Sequence, residues 1–227
     1  MNLHRLKTAE AAFLSEFPGG FNNPGPAMQR ILRIHNVDQL ATFTHANVTE
    51  ATLSQPQLFA DTLLKIMSRS SMVSRFEKPL FKSFLGGLST KHTRALAEAF
   101  RRRLSGRQKR EGFEEIVALF SRHSVARWSF VSALPFYFAP TKEAFVKPMA
   151  AKKIVALLEM DDLRYHARPD WAFYNGYRKL ILEIRKHVDP DLAPHNAAIT
   201  GFLMSAVQAP PSVAGTPRPS SPRWRAR

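Results

Sequence analysis

Apolar residues recur along this chain at intervals of three and four, while alternating or β-branched runs are scarce. That is the period of helices packed by one face, so the expected fold class is all-α: a multi-helix domain. Leu6, Ala9, Phe13 and Leu14 share one face of a first helix over about Leu3 to Phe17, which Pro18-Gly19-Gly20 terminates. A rigid Phe-Asn-Asn-Pro-Gly-Pro turn leads to two short helices, Met28 to His35 and Val37 to Ala46, with Asn36 and Asn47 as C-terminal caps. Pro56 opens a helix to about Arg69, and further helices are expected over Arg75 to Leu85, Lys91 to Leu104 and Gln108 to Arg122. Trp128 to Leu134 is apolar on every side and predicts a central buried helix, with Pro135 and Pro140 bracketing a connector after it. Pro148 begins a helix to Met160. Asp170 opens the clearest one, in which Trp171, Tyr174, Tyr177, Ile181, Ile184 and Val188 recur at helical spacing. A last helix covers about Asn196 to Val207.

From Ala209 to Arg227 the pattern stops: five prolines, four arginines and no acidic residue predict a disordered tail. Short connections elsewhere argue for a single compact domain over 1–208, with two lobes able to meet near Arg107. The 227 residues suffice for a proper core. With no cysteine, a disulfide framework, a thiolate metal site and a thiol nucleophile are excluded. Charged residues interrupt Met1 to Phe17, so it does not read as a signal peptide, and no run approaches the roughly 18 apolar residues of a membrane span. A cytoplasmic protein with no membrane span is expected.

Charge changes the picture most. Lys and Arg number 33 against 18 Asp and Glu, a formal +15 that points to an anionic partner: nucleic acid, an anionic membrane or an acidic protein. Removing the four tail arginines still leaves an excess of 11 on the body. The densest basic segment holds Lys91, Arg94, Arg101, Arg102, Arg103, Arg107, Lys109 and Arg110 against the single acid Glu98. Three consecutive arginines fan over most of a helical turn, so at least two are expected to meet solvent. Arginine suits a phosphate track, since its planar fork donates bidentately at any accessible pH; a solvated helix end would use the same residues. A second candidate is the loop around Tyr165 to Trp171, where Arg164, His166 and Arg168 stand among aromatics, the setting in which recognition residues gather. Arg218, Arg223, Arg225 and Arg227 of the tail complete the candidate phosphate contacts.

Other chemistry has little support. The eight histidines form no His-x-x-x-His or His-Glu-x-x-His pattern, and neither a phosphate-binding loop nor a nucleophile elbow occurs, so no metal and no cofactor is implied. Asp170 with Glu183-Ile184-Arg185-Lys186 is a near miss to a Mg²⁺-dependent nuclease pattern. Along one helix its two carboxylates would lie about 20 Å apart, too far to share an ion. Asp161 and Asp162 form an acidic pair at a helix end, where capping and solvation account for them better than chemistry does.

Leu85-Gly86-Gly87-Leu88-Ser89-Thr90-Lys91 faintly resembles a helix-hairpin-helix motif, with Ser89 in place of the second glycine; a glycine cap followed by a serine cap explains the same letters. Three further pieces, Phe17-Pro18-Gly19-Gly20-Phe21-Asn22-Asn23-Pro24, Phe76-Glu77-Lys78-Pro79, and the run from Leu134-Pro135-Phe136 through Phe145-Val146-Lys147-Pro148 to Trp171 and Tyr174, resemble an uncharacterised family of bacterial helical proteins. That resemblance implies a helical domain and no particular activity. The leading expectation is therefore a non-enzymatic nucleic-acid-binding protein, DNA before RNA. The alternatives are an interaction component of toxin-antitoxin or phage-defence type docking an acidic partner, and a DNA-processing enzyme of helix-hairpin-helix type using Asp161, Asp162 or Asp170.

Overall fold

Prolines and glycines set most of the helix limits in the computed structural model, which describes residues 1–208. The helices are α1 (Leu3–Glu16), α2 (Pro26–His35), α3 (Val37–Asn47), α4 (Glu50–Leu53), α5 (Pro56–Arg69), α6 (Glu77–Gly86), α7 (Thr90–Leu104), α8 (Lys109–Arg122), α9 (Trp128–Phe138), α10 (Pro148–Leu157), α11 (Trp171–His187) and α12 (Asn196–Gln208). Short 3-10 turns stand at Gly20–Asn22 and Pro190–Leu192, and among the described residues there is no strand. The all-α expectation holds. The tail from Ala209, with Arg218, Arg223, Arg225 and Arg227, lies outside the described residues.

Local chemistry accounts for the ends. Pro26, Pro56 and Pro148 each sit in a first turn, where the missing N–H has no helical partner to lose. Asn2, Thr49, Ser89 and Asp170 cap α1, α4, α7 and α11 by accepting backbone N–H groups. Asn36 ends α2 at φ 40°, in the left-handed region that asparagine tolerates.

The short α4 was not expected, and two boundaries differ from expectation by three residues or more. Pro135 lies inside α9, which runs on to Phe138, instead of opening a connector. A mid-helix proline forfeits one hydrogen bond. Here Phe136 and Tyr137 are fully buried and the Tyr137 hydroxyl meets Ser70 Oγ at 2.8 Å, so continuing the helix places two large aromatics in the core. Helix α10 stops at Leu157, before Met160, because Glu159 turns left-handed at φ 53° and the Met160 N–H closes back on Val155 O.

Buried residues from Leu6 to Leu203 form one apolar cluster. Helix α9, buried from Trp128 to Tyr137, packs against α3, α5, α7 and α8. Helix α12 packs against α1, α10 and α11. Arg107 lies in the turn between α7 and α8, which pack along each other. No helix among the described residues is long and apolar enough to cross a membrane.

Candidate nucleic-acid interface

Most of the basic segment lies on the α7–α8 hairpin, whose closest approach is at Gly112. A Cβ there would stand 2.3 Å from Arg103 N and 2.6 Å from Ala99 O, so only glycine lets the two backbones meet. This contact carries the end of α7 inward. Arg103 is accordingly buried, with 1% of its side chain exposed, and does not belong to a surface phosphate track.

What holds a guanidinium in the core is Glu143, itself only 4% exposed. Arg103 Nη2 donates to Glu143 Oε2 at 2.9 Å, Lys109 Nζ to Oε1 at 3.0 Å, and the Tyr174 hydroxyl to Oε2 at 2.9 Å. Arg178 Nε stands 3.4 Å from Oε2. The guanidinium also lies 5.0 Å from the Tyr174 ring centroid and 5.7 Å from that of Trp171. Burial pushes the Glu143 carboxyl up, but Arg103 and Lys109 outweigh it and hold the group at about 2. Burial likewise opposes the charge on Arg103, whose pKa its partners nonetheless raise. Three cations around one buried carboxylate make an internal ion centre tying α7, α8 and α11 to the chain ahead of α10. Arg103 and Lys109 are committed to it.

Three more arginines of the segment have carboxylate partners. Arg101 pairs with Glu50 at 2.8 Å and with Glu98, Arg102 with Glu115 at 2.7 Å, and Arg110 with Glu114 at 2.8 Å. Neither Arg101 nor Arg102 is fully exposed, contrary to the expectation that two of the triple face solvent freely. Lys91, Arg94 and Arg107 differ: they are exposed and have no ion pair among the described residues.

The free charges continue beyond the hairpin. Residues 78–97 and 116–142 contain no acidic residue, and they bring Lys82, Lys91, Arg94, Arg122 and Arg127 to the surface. His92 and His123 stand 5.6 Å apart, and Phe84 lies 5.3 Å from His123, so the start of α7 meets the end of α8 beside the end of α6. Counting back from the Arg102–Glu115 pair, Lys91 lies eleven residues or about 17 Å along α7. Arg107 in the turn apart, the hairpin therefore has an end with internal ion pairs and an end whose cations stand free.

The loop around Tyr165 to Trp171 forms the second feature. Trp128 Nε1 donates to His166 O at 2.8 Å, tying the loop to the start of α9 next to Arg127. Asp170 Oδ1 accepts the Phe173 N–H at 2.8 Å as the cap of α11, and Oδ2 meets His166 Nδ1 at 3.0 Å. Between this loop and α8 opens a cleft of about 600 Å³ lined by Phe113, Glu114, Val117, His166, Arg168, Pro169, Asp170 and Trp171. Arg164 and Arg168 are exposed without ion pairs.

At the Gly86-Gly87 turn both glycines stay at negative φ, outside the left-handed cap conformation, and Ser89 caps α7, its Oγ accepting the His92 N–H at 3.3 Å. Asp161 and Asp162 are exposed, and among the described residues no three His, Asp or Glu side chains gather as a metal site. Glu143, Arg178, Phe113 and Glu114 escaped the sequence reading; the one available signal for Glu143 was its place as a lone acid in a long apolar and basic stretch. Compared with protein-family models, characterised proteins and solved structures, the chain matches none.

Proposed function

We propose that this protein binds nucleic acid through the acid-free end of the α7–α8 hairpin and the adjoining Arg164 to Arg168 loop. The observation that supports this is the division of charge: Arg101, Arg102, Arg103, Lys109 and Arg110 are matched by carboxylates within the chain, whereas Lys91, Arg94, Arg122 and Arg127 are exposed without ion pairs. Internal pairing accounts for the first set. The second gains no stability from clustering and carries mutual repulsion, which a polyanion relieves while releasing its condensed counterions. Arg164 and Arg168 extend the same unpaired charge to the cleft.

The test is an equilibrium titration of DNA and RNA against wild type and the Lys91→Gln, Arg94→Gln, Arg122→Gln, Arg127→Gln variant over a range of salt. Steep salt dependence in wild type and a shallower slope in the variant support the reading. A folded wild type that binds neither polymer at low salt refutes it and turns the same surface toward an acidic protein.

A further inference from the structure

We infer that the cleft between α8 and the His166–Trp171 loop seats one unpaired nucleobase, making single-stranded nucleic acid the preferred form. This rests on the nucleic-acid reading above and adds which strand and which contact. Phe113, Val117 and Pro169 form the cleft's buried apolar floor, and the partly exposed Trp171, whose ring packs edge-on against Phe113 with centroids 5.5 Å apart, supplies the aromatic surface a base can reach. The cleft is open and measures about 600 Å³.

The polar groups on its walls are unevenly satisfied. Glu114 is held by Arg110, and both oxygens of Asp170 are engaged, one by the Phe173 N–H and the other by His166. Arg168 alone among the lining charges has no partner, and it is exposed. An occupant with a flat apolar body joined to a negative charge matches that arrangement, and a nucleotide in a strand has this form. A duplex does not: its bases are already stacked on both faces and cannot enter a side cleft.

The seat is also formed in advance. Trp171 is fixed against Tyr174 at 5.8 Å and lies beneath the buried Arg103 ion centre, while the Trp128 indole and the Asp170 cap pin the loop at both ends. Little ordering entropy remains to be lost when a base arrives. Arg127, next to Trp128, and Arg164, just ahead of the loop, supply free charge for the neighbouring phosphates.

The experiment compares three fluorescently labelled ligands of similar length at one salt concentration: an oligothymidylate 12-mer, a 12-mer abasic at every position, and a 12-base-pair duplex. Wild type is expected to bind the base-bearing strand at least about fivefold more tightly than the abasic strand, the low end of one stacked base. Trp171→Ala, checked for folding by circular dichroism, removes that difference; Arg168→Gln, an exposed change, weakens both strands alike. The wild-type comparison is decisive even where Trp171→Ala fails to fold. Equal binding of base-bearing and abasic strands, or preference for the duplex, overturns the seat and leaves the nucleic-acid reading standing. Absence of binding to all three overturns both.

Discussion

Replacing Glu143 by Gln keeps its shape and removes the one negative charge among three cations. In the native protein Arg103 is almost wholly buried, so the variant leaves a guanidinium in the core without a counter-ion. Removing one partner of a buried pair costs about 3–5 kcal/mol. Acid titration leads to a similar figure: lowering the carboxyl from 4.5 to about 2 corresponds to about 3 kcal/mol at 1.36 kcal/mol per pH unit. Because the folded pKa is depressed, this stability is fully present above pH 4.5 and is lost as pH falls toward 2. Arg103→Met is the informative control. It keeps Glu143 beside Lys109, Arg178 and Tyr174, so its charge remains compensated and the variant is less damaging than Glu143→Gln. Urea unfolding followed by far-UV circular dichroism at pH 7 and at pH 3 measures all three proteins. The expected result is a gap of about 3–5 kcal/mol between wild type and Glu143→Gln at pH 7 that narrows at pH 3. A Glu143→Gln protein within about 1 kcal/mol of wild type at pH 7, or a gap that persists at pH 3, refutes the argument.

Three further outcomes are open to measurement. Gly112→Ala drives a methyl group into Arg103 N and Ala99 O, backbone atoms that cannot step aside, and should lower stability in urea unfolding by about 2 kcal/mol or more. His195 accepts the Ala198 N–H through Nδ1 at 3.0 Å at the start of α12, and burial, reinforced by Arg185 and opposed by Asp38, lowers its pKa from 6.5 to about 4. Its contribution, at most about 3 kcal/mol, is present above pH 6.5 and is lost as pH falls through 4; His195→Asn, which caps without titrating there, should flatten that limb of the stability profile. Truncation after Gln208 removes four arginines and should reduce the slope of log affinity against log salt by up to about 2.8 on a single strand or about 3.6 on a duplex, read in the same binding titration; an unchanged slope excludes the tail from binding.

Helix existence was legible because apolar spacing, caps and first-turn prolines are local signals, as Pro56, Asn36 and Asp170 show. Pro135 was misread for the opposite reason: the burial of Phe136 and Tyr137 that keeps α9 going is a tertiary property. The same limit governs the basic segment. Glu98 is its only internal acid, but Glu50, Glu143, Glu114 and Glu115 arrive from α4, the chain ahead of α10, and α8, and neutralise half of it. Counting charges along the chain cannot reveal Glu50 or Glu143, which lie forty or more residues from Arg101 and Arg103. Those counts gave Arg101 to Arg103 the same weight as Lys91 and Arg94, whereas the free charge lies about three turns from the triple, around Lys91 and Arg122. The Tyr165 to Trp171 loop was visible as a mixture of arginines and aromatics, yet its other wall, Phe113 and Val117, looked like ordinary core positions of α8.

The central claim is that the free cations, not the internally paired arginines, meet the polyanion. Side-by-side salt titrations of two variants test it: Lys91→Gln, Arg94→Gln, Arg122→Gln, Arg127→Gln against Arg101→Gln, Arg102→Gln. The account predicts that the first loses about 2 to 4 in the slope of log affinity against log salt, while the second keeps the wild-type slope. A second variant that loses the slope, with the first unaffected and both folded, contradicts it.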